Sequence, residues 1–312
     1  MNSETCSKFY SCRAKALWST AALLMFAFFS SLFSWEAGAA ESADAALDKA
    51  IAGSHRSEQN KARDRFRHPR ETLRFFGLQP DMTVVEVWPG GGWYTEILAP
   101  VLRDQGRFYA AGFALRAKGT PDYRKSIDAD YRALLKQHPD IYDKVVFGEL
   151  QAPEFADIAP PGSVDLILTF RNVHNWVKEE NAQAMFNAFY DALKPGGILG
   201  VVEHRAEPGT DLNDSIRSGY MTEGYVIQVV ESAGFKLQDK AEINANPKDT
   251  KDHPKGVWTL PPTLRMGDTD REKYLAIGES DRMTIKFIKP KFDMCPSREK
   301  PQDKPGGNAT SF

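Results

Sequence analysis

The chain has 312 residues, 42% of them hydrophobic and 26% charged, with a formal net charge of -2. That is enough apolar material for one globular domain with an appended piece. The near-balanced charge excludes a global field that would draw the protein to nucleic acid or acidic membranes, so no nucleic-acid partner is expected.

The first elements read as an address. Lys8, Arg13 and Lys15 precede an uncharged apolar stretch from Ala16 to Trp35, and Ala37-Gly38-Ala39 then offers small residues to a signal peptidase. Residues 1–39 are therefore expected to be a Sec-type signal peptide, cleaved after Ala39 or Ala40, which makes the mature chain periplasmic or secreted. The alternative is an uncleaved anchor, because an apolar run of this length just spans a bilayer. With no twin-arginine pair and no cysteine at the cleavage point, the chain is expected to cross unfolded and not to become a lipoprotein. No stable membrane insertion is expected after cleavage. Of the three cysteines, Cys6 and Cys12 leave with the signal and only Cys295 remains, so the mature chain has no intrachain disulfide to rely on.

Residues 40–80 read as an N-terminal helical segment. It comprises Ala43 to Ile51 and a charged stretch from Ser57 to Phe76 that breaks at His68-Pro69, followed by the turn Gly77 to Asp81. From 81 to 289 strand and helix patterns alternate, the signature of a parallel sheet covered on both faces. Strands are expected at Val84 to Val87, Arg107 to Phe113, Tyr142 to Phe147, Val164 to Phe170, Ile198 to Val202, Gly234 to Ile243 and Asp281 to Ile288. Helices are expected at Tyr94 to Leu102, Asp122 to Gln137, Glu179 to Leu193 and Gly219 to Ala233. Residues 244–268 lack periodicity and read as a long insertion, a kind of loop that is often functional. The Pro-, Lys- and Gly-rich tail, 290–312, is expected to be disordered.

The most informative stretch is Val84-Val85-Glu86-Val87-Trp88-Pro89-Gly90-Gly91-Gly92-Trp93, a short apolar strand that runs into three consecutive glycines before a helix. Each glycine costs about 1 kcal/mol of backbone entropy relative to alanine. Such a loop lets bare N–H groups meet a ligand at a helix start; a tight strand-to-helix turn is the plainer alternative. Together with the Leu193-Lys194-Pro195-Gly196-Gly197 turn before a strand, this order resembles the class I S-adenosylmethionine-dependent methyltransferases, and an exported branch of them with a Pro-Gly-Gly-Gly-Trp-Tyr loop. The resemblance spans about residues 60 to 290. It implies a doubly wound, Rossmann-like α/β fold whose seven-stranded, mostly parallel sheet carries helices on both faces, the last strand running antiparallel near one edge.

It also implies S-adenosyl-L-methionine as cofactor, with Glu86 as the acidic residue of the first motif, Gly90, Gly91 and Gly92 in the loop, and Glu149 of Gly148-Glu149-Leu150 reading the adenine. Two features depart from the family pattern. Trp88 stands where the first glycine belongs. The second strand also ends in Ala110-Ala111-Gly112-Phe113, without the acid that grips the ribose.

In this fold, loops at the carboxyl ends of the strands build the site. Those loops hold Arg171, Asn172, His174 and Trp176 after the fourth strand, and Glu203, His204 and Arg205 after the fifth. Asp249, Asp252 and His253 lie in the insertion. His174 and His204 are candidate bases, Asn172 a further catalytic candidate, and Arg171 or Arg205 could hold an acidic group of a small-molecule substrate. Trp88, Trp93, Tyr94 and Trp176 are candidates for an aromatic wall, and each of these residues has a merely structural alternative. His174, His204, His253 and Asp252 are suitable metal ligands, but without His-x-x-x-His or paired-Cys spacing no metal site is assigned. The leading expectation is an exported S-adenosylmethionine-dependent methyltransferase-like enzyme acting on a small molecule or envelope component. The alternatives are a non-catalytic ligand-binding protein on the same fold and a metal-assisted hydrolase in the same cleft.

Overall fold

A computed structural model describes residues 43–291. The expected signal peptide, Cys295 and most of the expected tail lie outside the described residues. Among those described, no helix is long and apolar enough to cross a membrane.

Seven strands form one sheet: β1 (Thr83–Val87), β2 (Arg107–Phe113), β3 (Val146–Leu150), β4 (Val164–Phe170), β5 (Leu193–His204), β6 (Lys236–Ala241) and β7 (Arg282–Ile288). Their order is β3-β2-β1-β4-β5-β7-β6. The first five strands run parallel, while β7 lies antiparallel between β5 and β6, as the resemblance implies. Side-chain alternation explains the two layers. Val85, Val87 and Ile167 point to one face, Val84, Leu166 and Leu168 to the other, and each set is buried in its own apolar cluster.

Helix α1 (43–51) is followed by α2 (Glu58–Lys61), α3 (Asp64–Arg67) and α4 (Pro69–Phe76), with the expected break at His68 in left-handed conformation. This N-terminal segment is not set apart, because Leu47, Ala50, Leu73 and Phe76 belong to the cluster built on β1 and β4. Helix α5 (Thr95–Leu102) follows the glycine loop, and α6 (Asp122–Gln137) and α7 (Pro139–Tyr142) precede β3. Tyr142 thus ends a helix that Pro139 starts, and the third strand begins four residues later than the pattern implies. The stretch after β4 is not a loop but α8 (Val173–Lys178), and α9 (Ala182–Ala192) follows it. The Lys194–Gly197 turn is carried inside β5 as an irregularity, since Val164 pairs with Leu193 while Leu166 pairs with Ile198.

Beyond β5 the expected Gly219 to Ala233 helix is α11 (Glu223–Ser232), shorter at its start, and an unexpected helix, α10 (Leu212–Ser218), precedes it and ends at Gly219 with φ +78°. The insertion contains only one short 3-10 turn, Gly256–Thr259, and is followed by an unexpected helix, α12 (Arg271–Ile277).

Because β7 is antiparallel, its first residues lie at the edge of the sheet where β1, β4 and β5 end. Register makes this concrete: Phe170 faces Val202, and His204 faces Arg282. The insertion is locked over this edge at Gly256. Its φ is +55°, and a Cβ placed there would stand 2.1 Å from the Ser218 carbonyl oxygen. Replacing Gly256 with alanine is expected to cost about 2–3 kcal/mol of stability, measured as a fall in the urea or thermal midpoint.

Candidate active site

The carboxyl edge of the sheet encloses a cavity of about 900 Å³. Its floor is Glu86, the glycine loop and the end of β4; its walls come from α2–α3, α8 and α10, and the insertion's Val257, Trp258, Pro261 and Pro262 roof it. The aperiodic insertion therefore contributes to the cleft, through Val257, Trp258, Pro261 and Pro262 together with Thr263 and Arg265, and not through its Asp and His residues. Asp249 instead fastens the loop, accepting hydrogen bonds from the Tyr220 hydroxyl, Lys251 N–H and Asp281 N–H, with the His253 ring 2.8 Å away. Asp252 bonds Thr250 on the surface.

Glu203 organises the histidines. Its Oε2 accepts from Val173 N–H at 2.6 Å and His174 N–H at 3.4 Å, capping α8; its Oε1 accepts from His204 N–H at 2.8 Å and lies 3.0 Å from His174 Nδ1. With Nδ1–H donated to Glu203, His174 is left with a bare Nε2 for a substrate proton. The His204 ring centroid is 5.3 Å away, with its Nδ1 2.6 Å from Ser280 Oγ. Burial, then His174 and the nearby arginines, hold the His204 imidazole well below its ordinary pKa, so it is neutral at physiological pH. His174, Glu203 and His204 form a cluster whose ligand atoms lie within 4.8 Å of one another, a spacing a metal ion could use. Both Glu203 oxygens are already engaged, however, and the arginines acting on His204 oppose a second cation.

The other expected residues divide. Asn172 donates to the Val87 carbonyl at 3.0 Å and to Thr169 Oγ1 at 3.2 Å, joining the ends of β1 and β4 at the cavity wall. Arg205 is outside the cavity lining. It is clamped by Asp281, Glu223 and Glu242. Burial works against its charge, yet those carboxylates hold its pKa above the ordinary value. Trp176 is fully buried in the core.

Of the loop, Gly90 and Gly91 face the cavity. A Cβ on either would meet nothing within 4 Å, and neither N–H has an acceptor among the described residues. Gly92 instead packs on α6, since a Cβ there would lie 2.7 Å from Leu134 Cδ2. Glu86 is buried and accepts a 2.6 Å hydrogen bond from Thr95 Oγ1. Burial pushes its pKa up to about 8, against the pull of Thr95 and Arg171.

Glu149 does not line the cavity; its carboxylate bonds Arg116 on the outside at 2.6 Å. Trp88 takes up the space at the ends of β2 and β3. Its Nε1–H donates to the Leu150 carbonyl at 3.0 Å, its ring lies 4.9 Å from that of Phe113, and the Arg124 guanidinium covers it at 4.5 Å. Its φ of +46° is a strained conformation for a bulky residue, costing about 1–3 kcal/mol. Burying an indole of about 200 Å² returns about 5 kcal/mol, so the strain is sustained. Trp93 donates to the Asn60 carbonyl at 2.9 Å and ties the loop to the N-terminal helices.

Sequence reasoning missed Arg63, Arg67, Glu279 and Ser280, all of which line the cavity. Arg63 and Arg67 stand one helical turn apart in the charged stretch, a spacing that puts both on one face. Nothing local marks Glu279.

No protein-family model matches the chain, and no curated protein matches it significantly. Among solved structures it is similar to the cyclase SpnF, at 17% identity over 77% of this chain and 86% of that one, with a TM-score of 0.50. It is also similar to an S-adenosylmethionine-dependent methyltransferase from Aquifex aeolicus, at 15% identity over 73% of this chain and 93% of that one, with a TM-score of 0.48. Strand order and likeness together give a Rossmann-like methyltransferase fold. That fold carries more than one chemistry, so the activity has to be argued from the cleft.

Two outcomes are expected here. Glu86 is protonated in the folded state up to about pH 8 but ionises at its ordinary 4.5 when unfolded. It therefore adds stability in full below 4.5 that is lost as pH rises towards 8. In Glu86→Gln, the thermal midpoint is expected to fall less between pH 5 and pH 8 than in the wild type. Glu203→Gln sets an amide NH₂ against backbone donors and is expected to cost about 2–4 kcal/mol in denaturant melts.

Proposed function

We propose that this chain is an exported, S-adenosylmethionine-dependent methyltransferase-like enzyme acting on a small molecule, with His174 as its general base. The observation that carries this reading is the glycine loop, whose Gly90 and Gly91 N–H groups open into the cavity beside buried Glu86. The free amides suit the carboxylate at the amino-acid end of the cofactor. When bound, the cofactor supplies an electrophilic methyl group. The chain's own contribution is to remove a proton from the acceptor at His174 Nε2, while Glu203 holds the ring and stabilises its charged form. Trp258 packs beside that position, its ring 5.9 Å from the His174 ring.

The adenosine end does not fit the present arrangement. Trp88 fills the region at the ends of β2 and β3, Glu149 points away, and β2 ends in Gly112 and Phe113 without a ribose-binding acid. The same ring favours a second reading, in which the fold is kept for a different ligand and methyl transfer is lost.

Calorimetry with S-adenosylmethionine and its demethylated product separates the two. On the first reading both bind the wild type, Gly91→Val abolishes binding, and Trp88→Ala strengthens it roughly 10- to 100-fold by removing the cost of displacing the indole. If neither the wild type nor a folded Trp88→Ala binds, the cofactor reading fails and the second stands. Export rests on the residue 1–39 pattern, and N-terminal sequencing of the protein from the cell envelope is expected to begin at Ala40 or Glu41.

A further inference from the structure

One wall of the cavity carries more positive charge than the protein itself compensates. Arg63, Arg67, Arg171 and Arg282 converge on a single carboxylate, Glu279. Glu279 accepts from Arg63 Nε at 2.7 Å and Arg67 Nε at 3.1 Å, and lies 3.0 Å from Arg282 Nη2. The Arg171 guanidinium approaches only to 3.9 Å, and its side chain makes no hydrogen bond among the described residues. Arg63 Nη2 is buried without an acceptor. Burial works to raise the Glu279 carboxyl pKa, but the four arginines outweigh it and hold the group far below the usual carboxylate range.

The Arg63 and Arg67 pairs have a structural use, since they tie α3 and the turn before it to the start of β7. That use does not account for Arg171. Its backbone is held at φ +62°, and its side chain faces the cavity from the end of β4. Glu86 sits nearby but is protonated below about pH 8, so it offers Arg171 little negative charge. Its side chain is 23% exposed, so it is open to an entering ligand, and guanidinium groups are well matched to the paired oxygens of carboxylate and phosphate.

We propose that Arg63, Arg67 and Arg171 form a subsite for an oxyanion group, a phosphate or a carboxylate, on the molecule that enters this cleft. The subsite lies in the same cavity as His174 and His204, and Ser280, next to Glu279 in the chain, stands 2.6 Å from His204 Nδ1. This deepens the proposed function by naming the substrate class, and rests on that reading only for the choice of cleft.

The test uses protein purified from cells exporting the full-length chain, at fixed ionic strength, with no cofactor added. Inorganic phosphate and succinate are the probes, followed by calorimetry and by the thermal midpoint; their relative affinities distinguish a phosphate from a carboxylate ligand. Saturable binding of at least one probe is expected. That affinity is expected to fall at least tenfold in Arg171→Gln and in Arg63→Gln, with partial recovery in Arg171→Lys. It is expected to be unchanged in Arg132→Gln, on the outer face of α6. No saturable binding of either probe, or wild-type affinity in both glutamine variants, overturns the proposal. Because no cofactor is present, failure here leaves the calorimetry with S-adenosylmethionine untouched, and failure there leaves this result standing.

Discussion

The carboxylate of Glu203 is the contact on which the cleft depends. Fully buried at the end of β5, it meets three backbone N–H groups and one imidazole, which together offset the cost of removing its charge from water. Through these bonds it starts α8, fixes the turn from β5 and orients His174. The position of the candidate base is thereby set by the sheet itself, and a site on rigid elements keeps its geometry better than one on loops.

Trp88 applies a different constraint to the neighbouring half of the cleft. A residue that would ordinarily be glycine keeps the strained backbone and adds a large ring. That ring is held by a hydrogen bond to Leu150, by the Phe113 and Trp176 rings and by the Arg124 guanidinium. Burial outweighs strain by a few kcal/mol, which makes the filled state the resting one. Loop and ring pull the functional reading in opposite directions, since one opens amides to a ligand and the other occupies the space beside them.

The third constraint is charge. The N-terminal helices, the end of β4 and the start of β7 all bring arginines to Glu279, which joins elements more than 200 residues apart. The cluster lowers the proton affinity of His204 and disfavours a cation beside it. Charge thus favours a small anionic ligand over a metal-centred reaction.

The amino-acid sequence by itself determined the layered α/β sheet. Apolar alternation and unbroken runs such as Val164 to Phe170 set strands and their faces, while the glycine loop marked the edge where ligands meet the sheet. It also singled out His174 and His204, because each follows directly from a strand end. Only the tertiary structure decided their partners. Glu203 capping α8, Arg205 drawn into a surface clamp, Glu149 turned outward and Trp88 folded over β2 and β3 are contacts between distant segments, and local pattern carries no information about them. The same holds for Arg63 and Arg67, which are only part of a charged stretch until the antiparallel β7 carries Glu279 to meet them. Periodicity is a property of neighbours along the chain, whereas desolvated charge pairs arise from neighbours in space.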